Sequence, residues 1–260
     1  MSTTQQINLN TTNQPTNQLL ATATAAADAD AEQLAGAAAA AATAATGDQQ
    51  VPEKGITSFD DLDINESLLR GIYNYGFETP STIQKLAIPK LLTGRDTIAQ
   101  AQSGTGKTAT FSIAILQLID PSKPVTQALV LEPTRELAEQ SCQVLSDFSA
   151  PHMHDVFVKL LIGGRRTGLD IDGLRKGPQV VVGTPGRVMH MIQKGFLNLS
   201  QCRICCLDEA DEMLSFGFKD QVYDIFQFLP STSQVALVSA TMPPEVLELS
   251  QRFLRDPHRI

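Results

Sequence analysis

The residues best equipped for chemistry in this chain lie in two short runs about a hundred positions apart. The first is Ala101-Gln-Ser-Gly-Thr-Gly-Lys-Thr108. Phosphate is held by successive backbone N–H groups and the N-terminus of the helix that follows them. Gly104 and Gly106 allow the close backbone approach, with Ser103 and Thr105 completing the loop. Lys107 is placed to reach β- and γ-phosphates, and the Thr108 hydroxyl to ligate Mg2+. The usual pattern opens on glycine where this chain has Ala101, a tolerable change if the backbone there needs no positive φ. The second run is Leu207-Asp-Glu-Ala-Asp211, following the apolar Ile204-Cys-Cys. An acid at the end of a buried strand can hold the metal, which is the part Asp208 would play. Glu209 beside it is the candidate general base for a water at the γ-phosphate.

These groups need elements to hold them. Asn65 is a cap candidate for a helix with Leu68, Leu69, Ile72 and Tyr75 on its apolar face, stopping at Gly76. A second helix follows Pro80 through Ile83, Leu86, Ala87 and Leu91, interrupted by Pro89. From residue 97 short β-rich runs alternate with helical patterns. The strands expected are 97–100, 128–131, 157–162, 180–183, 204–207 and 235–239. The helices are 107–119, 135–148, 186–193, 218–228 and 244–254. Continuous apolar strands such as "ALVL" and "VVV" suit a parallel sheet covered on both faces, and the alternation implies an α/β doubly wound domain. In such sheets ligands bind beyond the carboxyl ends of the strands. Each strand exit here carries small, polar or charged residues.

Composition bounds the rest. Residues 1–53 hold five acids and no Lys or Arg, and are mostly Ala, Thr, Gln and Asn. They read as a disordered, low-complexity tail without a secretory or transit signature. The remaining residues hold all 20 Lys and Arg against 23 acids. Nucleic acid would therefore be held at a local patch rather than by the net field. No apolar run approaches a membrane span. Cys202-Arg-Ile-Cys-Cys206 has a C-x-x-C spacing but no second pair for zinc. Read as one strand, it points Cys202 and Cys205 to opposite faces, as buried free thiols of a reducing compartment.

Taken with "DEAD" at 208–211, "AQSGTGKT" with its opening alanine resembles the phosphate loop of the DEAD-box RNA helicases, over roughly residues 59–260. "GFETPSTIQ" (76–84) resembles the Q motif, with Phe59 as its upstream aromatic. "PTREL" (133–137), Gly163-Gly164, "TPGR" (184–187) and "SAT" (239–241) resemble further motifs, all in order. The wording is most like the translation initiation factor 4A branch. The resemblance implies a RecA-like P-loop domain at 54–260 that uses ATP and Mg2+. Gln84 would pair with adenine N6 and N7, and Phe59 would stack on the base. Ser239 and Thr241 would bond toward Asp211 and transmit nucleotide state. Thr134, Arg135, Gly164, Thr184 and Arg187 would grip single-stranded RNA by its sugar-phosphate backbone, without sequence preference. With no Trp and three Tyr in the chain, backbone grip is favoured over a stacking platform. Glu132, where the branch commonly has Ala or Ser, puts a negative charge near that RNA face.

The resemblance further implies a second RecA-like domain beyond Ile260, with the arginine that would oppose Lys107, and a cytoplasmic or nuclear setting. A scaffold protein of translation initiation would be a partner. Two other readings stay open: a natural half-helicase that binds RNA or a partner without catalysis, and an unrelated P-loop ATPase. The ordered "PTREL", "TPGR" and "SAT" argue against the latter.

Overall fold

In the computed structural model, residues 55–260 are described; the tail read at 1–53 lies outside them. Seven strands form one parallel sheet: β1 (Thr97–Gln100), β2 (Ala128–Leu131), β3 (Val158–Leu161), β4 (Val180–Gly183), β5 (Ile204–Leu207), β6 (Gln234–Ser239) and β7 (His258–Arg259). Their spatial order is β3-β4-β2-β5-β6-β1-β7, and every pairing is parallel. The strands alternate between two apolar layers. Ala128 and Val130 of β2 pack with Cys206 and Val238 in one, whereas Leu129 and Leu131 pack with Cys205 and Leu207 in the other. The period of two in a strand sends successive side chains to opposite faces, so neither face is left to solvent.

Nine α-helices of the described residues cover these faces. The first layer holds residues of α1 (Glu66–Asn74), α2 (Thr82–Leu92), α3 (Lys107–Leu118) and α4 (Arg135–Ser149). The other holds residues of α5 (Thr167–Leu174), α6 (Pro185–Gln193), α7 (Ala210–Ser215), α8 (Lys219–Gln227) and α9 (Pro244–Phe253). Asn65 caps α1 through a 2.8 Å bond from the Leu68 N–H. The helix α2 runs through Pro89 rather than breaking at it, without the ladder bond that an N–H at this position would make. Three elements are absent from the reading from sequence. The α5 segment "TGLDIDGL" carries two glycines that weaken any helical pattern. The α7 helix is six residues within the acidic run, and β7 is a two-residue edge strand on β1. Cys202 lies outside β5 and packs in the same layer as Cys205, not on the opposite face. Burial pushes its thiol up to about 12 and that of Cys205 well above the ordinary range, which makes both poor nucleophiles.

The α1–α4 contact is unusually close: a Cβ built on Gly71 would stand 2.0 Å from the Phe148 carbonyl oxygen. At Gly168 in α5 an added Cβ meets nothing within 4 Å. Gly71→Ala should therefore destabilise by about 2 kcal/mol or more despite alanine's better helix propensity. Gly168→Ala should stabilise by a few tenths to about 1 kcal/mol. Urea unfolding of the two variants measures both, and a gain at Gly71 would show that the helices can separate freely.

Candidate nucleotide and nucleic-acid sites

The parallel sheet brings the carboxyl ends of β1, β5 and β6 to one edge, and three of the sequence runs meet there. The loop after β1 turns into α3 through Gly104 (φ +81) and Gly106 (φ +97). These left-handed conformations suit glycine, which has no Cβ penalty there. Ser103, Gly104 and Thr105 are exposed and Thr108 is half-buried. Ala101 donates its N–H to the Ser239 carbonyl at 3.2 Å, which ties the loop's first residue to β6. Lys107 is enclosed, and its Nζ stands 3.1 Å from both carboxylate oxygens of Glu209. The lysine assigned to phosphate and the acid assigned to water thus neutralise each other. Glu209 reaches it from a left-handed backbone (φ +45), a conformation costing a non-glycine residue about 1–2 kcal/mol.

Asp208 is buried at the end of β5, where its Oδ1 accepts the Glu209 N–H at 2.9 Å. Burial, with the Glu209 charge beside it, pushes its carboxyl up to about 7. A buried acid held this way gains most from a cation. Mg2+ is commonly bound by one or two carboxylates with phosphates and water completing the shell. Asp208 supplies one such carboxylate and half-buried Thr108 a hydroxyl next to Lys107; among the described residues no group of three His, Cys, Asp or Glu forms an independent metal cage. Asp211 faces β6. The Thr241 N–H and hydroxyl donate to its Oδ2 at 2.9 and 2.5 Å, and its own N–H donates to Ser239 Oγ at 3.2 Å. Burial would raise its carboxyl, but the bonds from Thr241 and Ser239 outweigh this and hold it below the usual carboxylate range.

Gln84 is 4% exposed and lies against the phosphate loop. Its Oε1 accepts the Ser81 N–H at 2.8 Å and its Nε2 donates to the Gly106 carbonyl at 3.4 Å. Ser81 Oγ adds a bond to the Thr105 carbonyl at 2.9 Å. Its second Nε2 hydrogen and second Oε1 lone pair are not used by these bonds, and one donor with one acceptor is what adenine N7 and N6 would need. Ser81 was not among the expected site residues, although S-x-x-Q is the capping-box spacing. Phe59 requires correction. It is 0% exposed, packed against Phe77 and Tyr73 with ring centroids 6.2 and 6.3 Å away, and offers no face to a base.

A groove of about 820 Å³ opens beyond β2 and β4. Thr134, Arg135, Thr184 and Arg187 line it. Thr134 caps α4, its Oγ1 accepting the Leu137 N–H at 3.2 Å, so its O–H remains a donor. The Arg135 guanidinium lies over the glycine pair, where a Cβ on Gly164 would come within 2.8 Å of it. Arg187 is more committed: it pairs with the buried Asp170 at 2.5 Å and donates to the Arg165 carbonyl at 3.0 Å. Lys159 completes this cluster, 3.0 Å from Asp170. Phe216 and His190 also line the groove and were missed in the sequence.

The expected charge of Glu132 on this face is not there. Glu132 is 0% exposed, accepts a hydrogen bond from Ser141 Oγ, and its Oε2 has no partner. It follows β2 where Asp208 follows β5, and Leu131 and Leu207 are direct register partners. Burial first, then the Asp208 charge, raises its carboxyl well above the ordinary 4.5, so the folded chain retains a proton that the unfolded chain releases. This term favours folding less as pH rises from about 4.5 through the folded value. Asp208 contributes with the same sign. Glu132→Gln should melt a few degrees higher than the wild type at pH 8, with the difference vanishing near pH 4; melting curves parallel across pH would refute the buried neutral acid.

The comparisons with known proteins agree with this layout. Residues 81–249 match the DEAD/DEAH box helicase family. An "ATP-dependent RNA helicase eIF4A" of Aspergillus clavatus is 53% identical over 225 residues, covering 82% of this chain and 55% of that protein. One from Mycosarcoma maydis is 56% identical over 211 residues, covering 80% and 50%. The chain therefore spans about half the length of these curated relatives. Among solved structures, a DEAD box protein from Methanococcus jannaschii superposes with a TM-score of 0.75 at 36% identity, over 78% of this chain and 55% of that one. Saccharomyces cerevisiae dbp5 bound to gle1 and ip6 gives 0.70 at 35%, over 78% and 52%. The sheet is thus the RecA-like fold of those proteins. With a phosphate loop, an acidic strand end and the match across 81–249 in one sheet edge, the chain belongs to the DEAD/DEAH box helicases.

Proposed function

We propose that residues 54–260 form the N-terminal RecA-like, ATP-binding domain of an ATP-dependent RNA helicase, acting on single-stranded RNA through its backbone. The observation that carries this reading is the Lys107–Glu209 ion pair beside buried Asp208, on the same sheet edge as the donor-lined groove. Lys107 would bind the β- and γ-phosphates, exchanging a carboxylate for a stronger anion and freeing Glu209 to accept a proton from water. Thr108 and Asp208 would hold Mg2+, which supplies charge neutralisation at the phosphates when bound. Gln84 would read adenine. Asp211, held by Thr241 and Ser239, would link the acid run to β6. Hydrolysis would be completed by a second RecA-like domain, whose arginine in comparable enzymes is worth about 10³–10⁵ in rate. The relatives' printed name, eIF4A, accords with the resemblance to the translation initiation factor 4A branch; under that resemblance the protein would act in translation initiation in the cytoplasm, with a scaffold protein as partner. No helix among the described residues is long and apolar enough to cross a membrane.

RNA-stimulated ATP turnover of the chain, alone and with an added second RecA-like domain, tests this. Turnover should rise when the domain is added, and Glu209→Gln should then lower it by about 10²–10⁴-fold. Unchanged turnover in Glu209→Gln would refute the base. Competition binding tests Gln84: the wild type should prefer ATP to GTP, and Gln84→Ala should lose most of that preference. Equal affinity of the wild type for both nucleotides would refute the adenine reading.

A further inference from the structure

Phe216 is 57% exposed yet stands on the rim of the groove that carries Arg135 and Thr134. Its position is fixed by the backbone. Its N–H bonds to the Glu212 carbonyl at 3.0 Å, and Gly217 (φ +81) turns the chain immediately afterwards. Two residues on, Phe218 packs against the core layer and supports the same wall. The ring of Phe216 is left outside that core. One isolated apolar side chain on a surface needs no explanation. This one lines a groove that also carries donors suited to an anionic chain. Among the described residues the Arg135 guanidinium, lying over Gly163 and Gly164, has no acidic partner. Arg187, by contrast, is held by Asp170.

We propose that Phe216 stacks on a base of the single-stranded RNA whose phosphates are held by Arg135 and Thr134. The inference rests on the RNA-binding reading above and deepens it: the groove takes hold of a nucleobase as well as the backbone. In a single strand the bases project away from the phosphates, so one wall of donors and one exposed ring can act on the same short stretch. Every base presents a π-face, so the contact adds affinity with little sequence preference. The ring also occupies the C-terminal end of α7. The first turn of that helix holds Asp211, and Glu209 caps its start, so the stacked base would touch the element that carries the acid run.

The probe is a uridine decamer with 2-aminopurine at one position, moved along the strand in a series and titrated with the 260-residue chain at low salt. The wild type should quench the probe strongly at one or two adjacent positions. Phe216→Ala should abolish that quench and weaken binding by about 5–150-fold, the range expected for one base–aromatic stack, with the salt dependence of binding kept. Phe216→Tyr should restore both. Arg135→Ala should weaken binding and flatten the salt dependence by about one unit, with the quench of the bound probe unchanged. Phe216 is exposed, so melting temperatures should match and separate a lost contact from a lost fold. Wild-type quench and affinity in Phe216→Ala would overturn the stack while leaving RNA binding intact, and would assign the ring to a protein partner. Failure of the wild type to bind the decamer at all would overturn both readings.

Discussion

The contact between Lys107 and Glu209 sets the terms for this domain. The two side chains are 102 residues apart in sequence and come from elements that do not pair directly: β1 leads to the lysine, β5 to the glutamate, and β6 lies between them. They meet only if all three strands run the same way and end at the same level. A buried pair of this kind contributes little net stability, but loss of one partner leaves an uncompensated charge costing about 3–5 kcal/mol. The pair therefore demands accuracy from the sheet. On the proposed reading, an incoming phosphate would take the lysine from this pair and release the acid.

The loops around that pair are tied to one another rather than simply adjacent. Ser81 and Gln84 hold the phosphate loop through the Thr105 and Gly106 carbonyls. Ala101 is bonded to Ser239, and Asp211 to Ser239 and Thr241. Four stretches distant in sequence thus share one continuous set of hydrogen bonds along the sheet edge. Such networks make the arrangement of each member depend on the others. Any ligand that turns Gln84 or displaces Lys107 must rearrange bonds that reach β6.

Much of this could be read in the sequence because the chemistry sits where the periodic signals are strongest. Strands β1, β2, β4 and β5 fall at the positions expected from their apolar runs, and the loops that follow them are the functional ones. The failures have specific physical causes. The glycines of "TGLDIDGL" hid α5, and an acidic run read only as chemistry hid the six-residue helix within it. Phe59 was assigned to a base by its sequence offset, but a ring completing an aromatic cluster with Phe77 and Tyr73 is buried by tertiary packing that no local pattern reports. Glu132 looked like surface charge because acids usually are; its burial follows from parallel register with Asp208. The ion pair of Arg187 with Asp170 was hidden because Asp170 lies in the helix that the sequence concealed.

The helix α7 has a consequence in simple dimensions. Six residues at 1.5 Å each make a rod about 9 Å long, shorter than the side-to-side span of two neighbouring helices. One end begins at the strained backbone of Glu209; the other carries an exposed aromatic ring. Met213 and Leu214 are buried along its length, and it holds no glycine or proline at which to bend. Two chemically different surfaces of this domain are thus separated by less than two helical turns of rigid backbone.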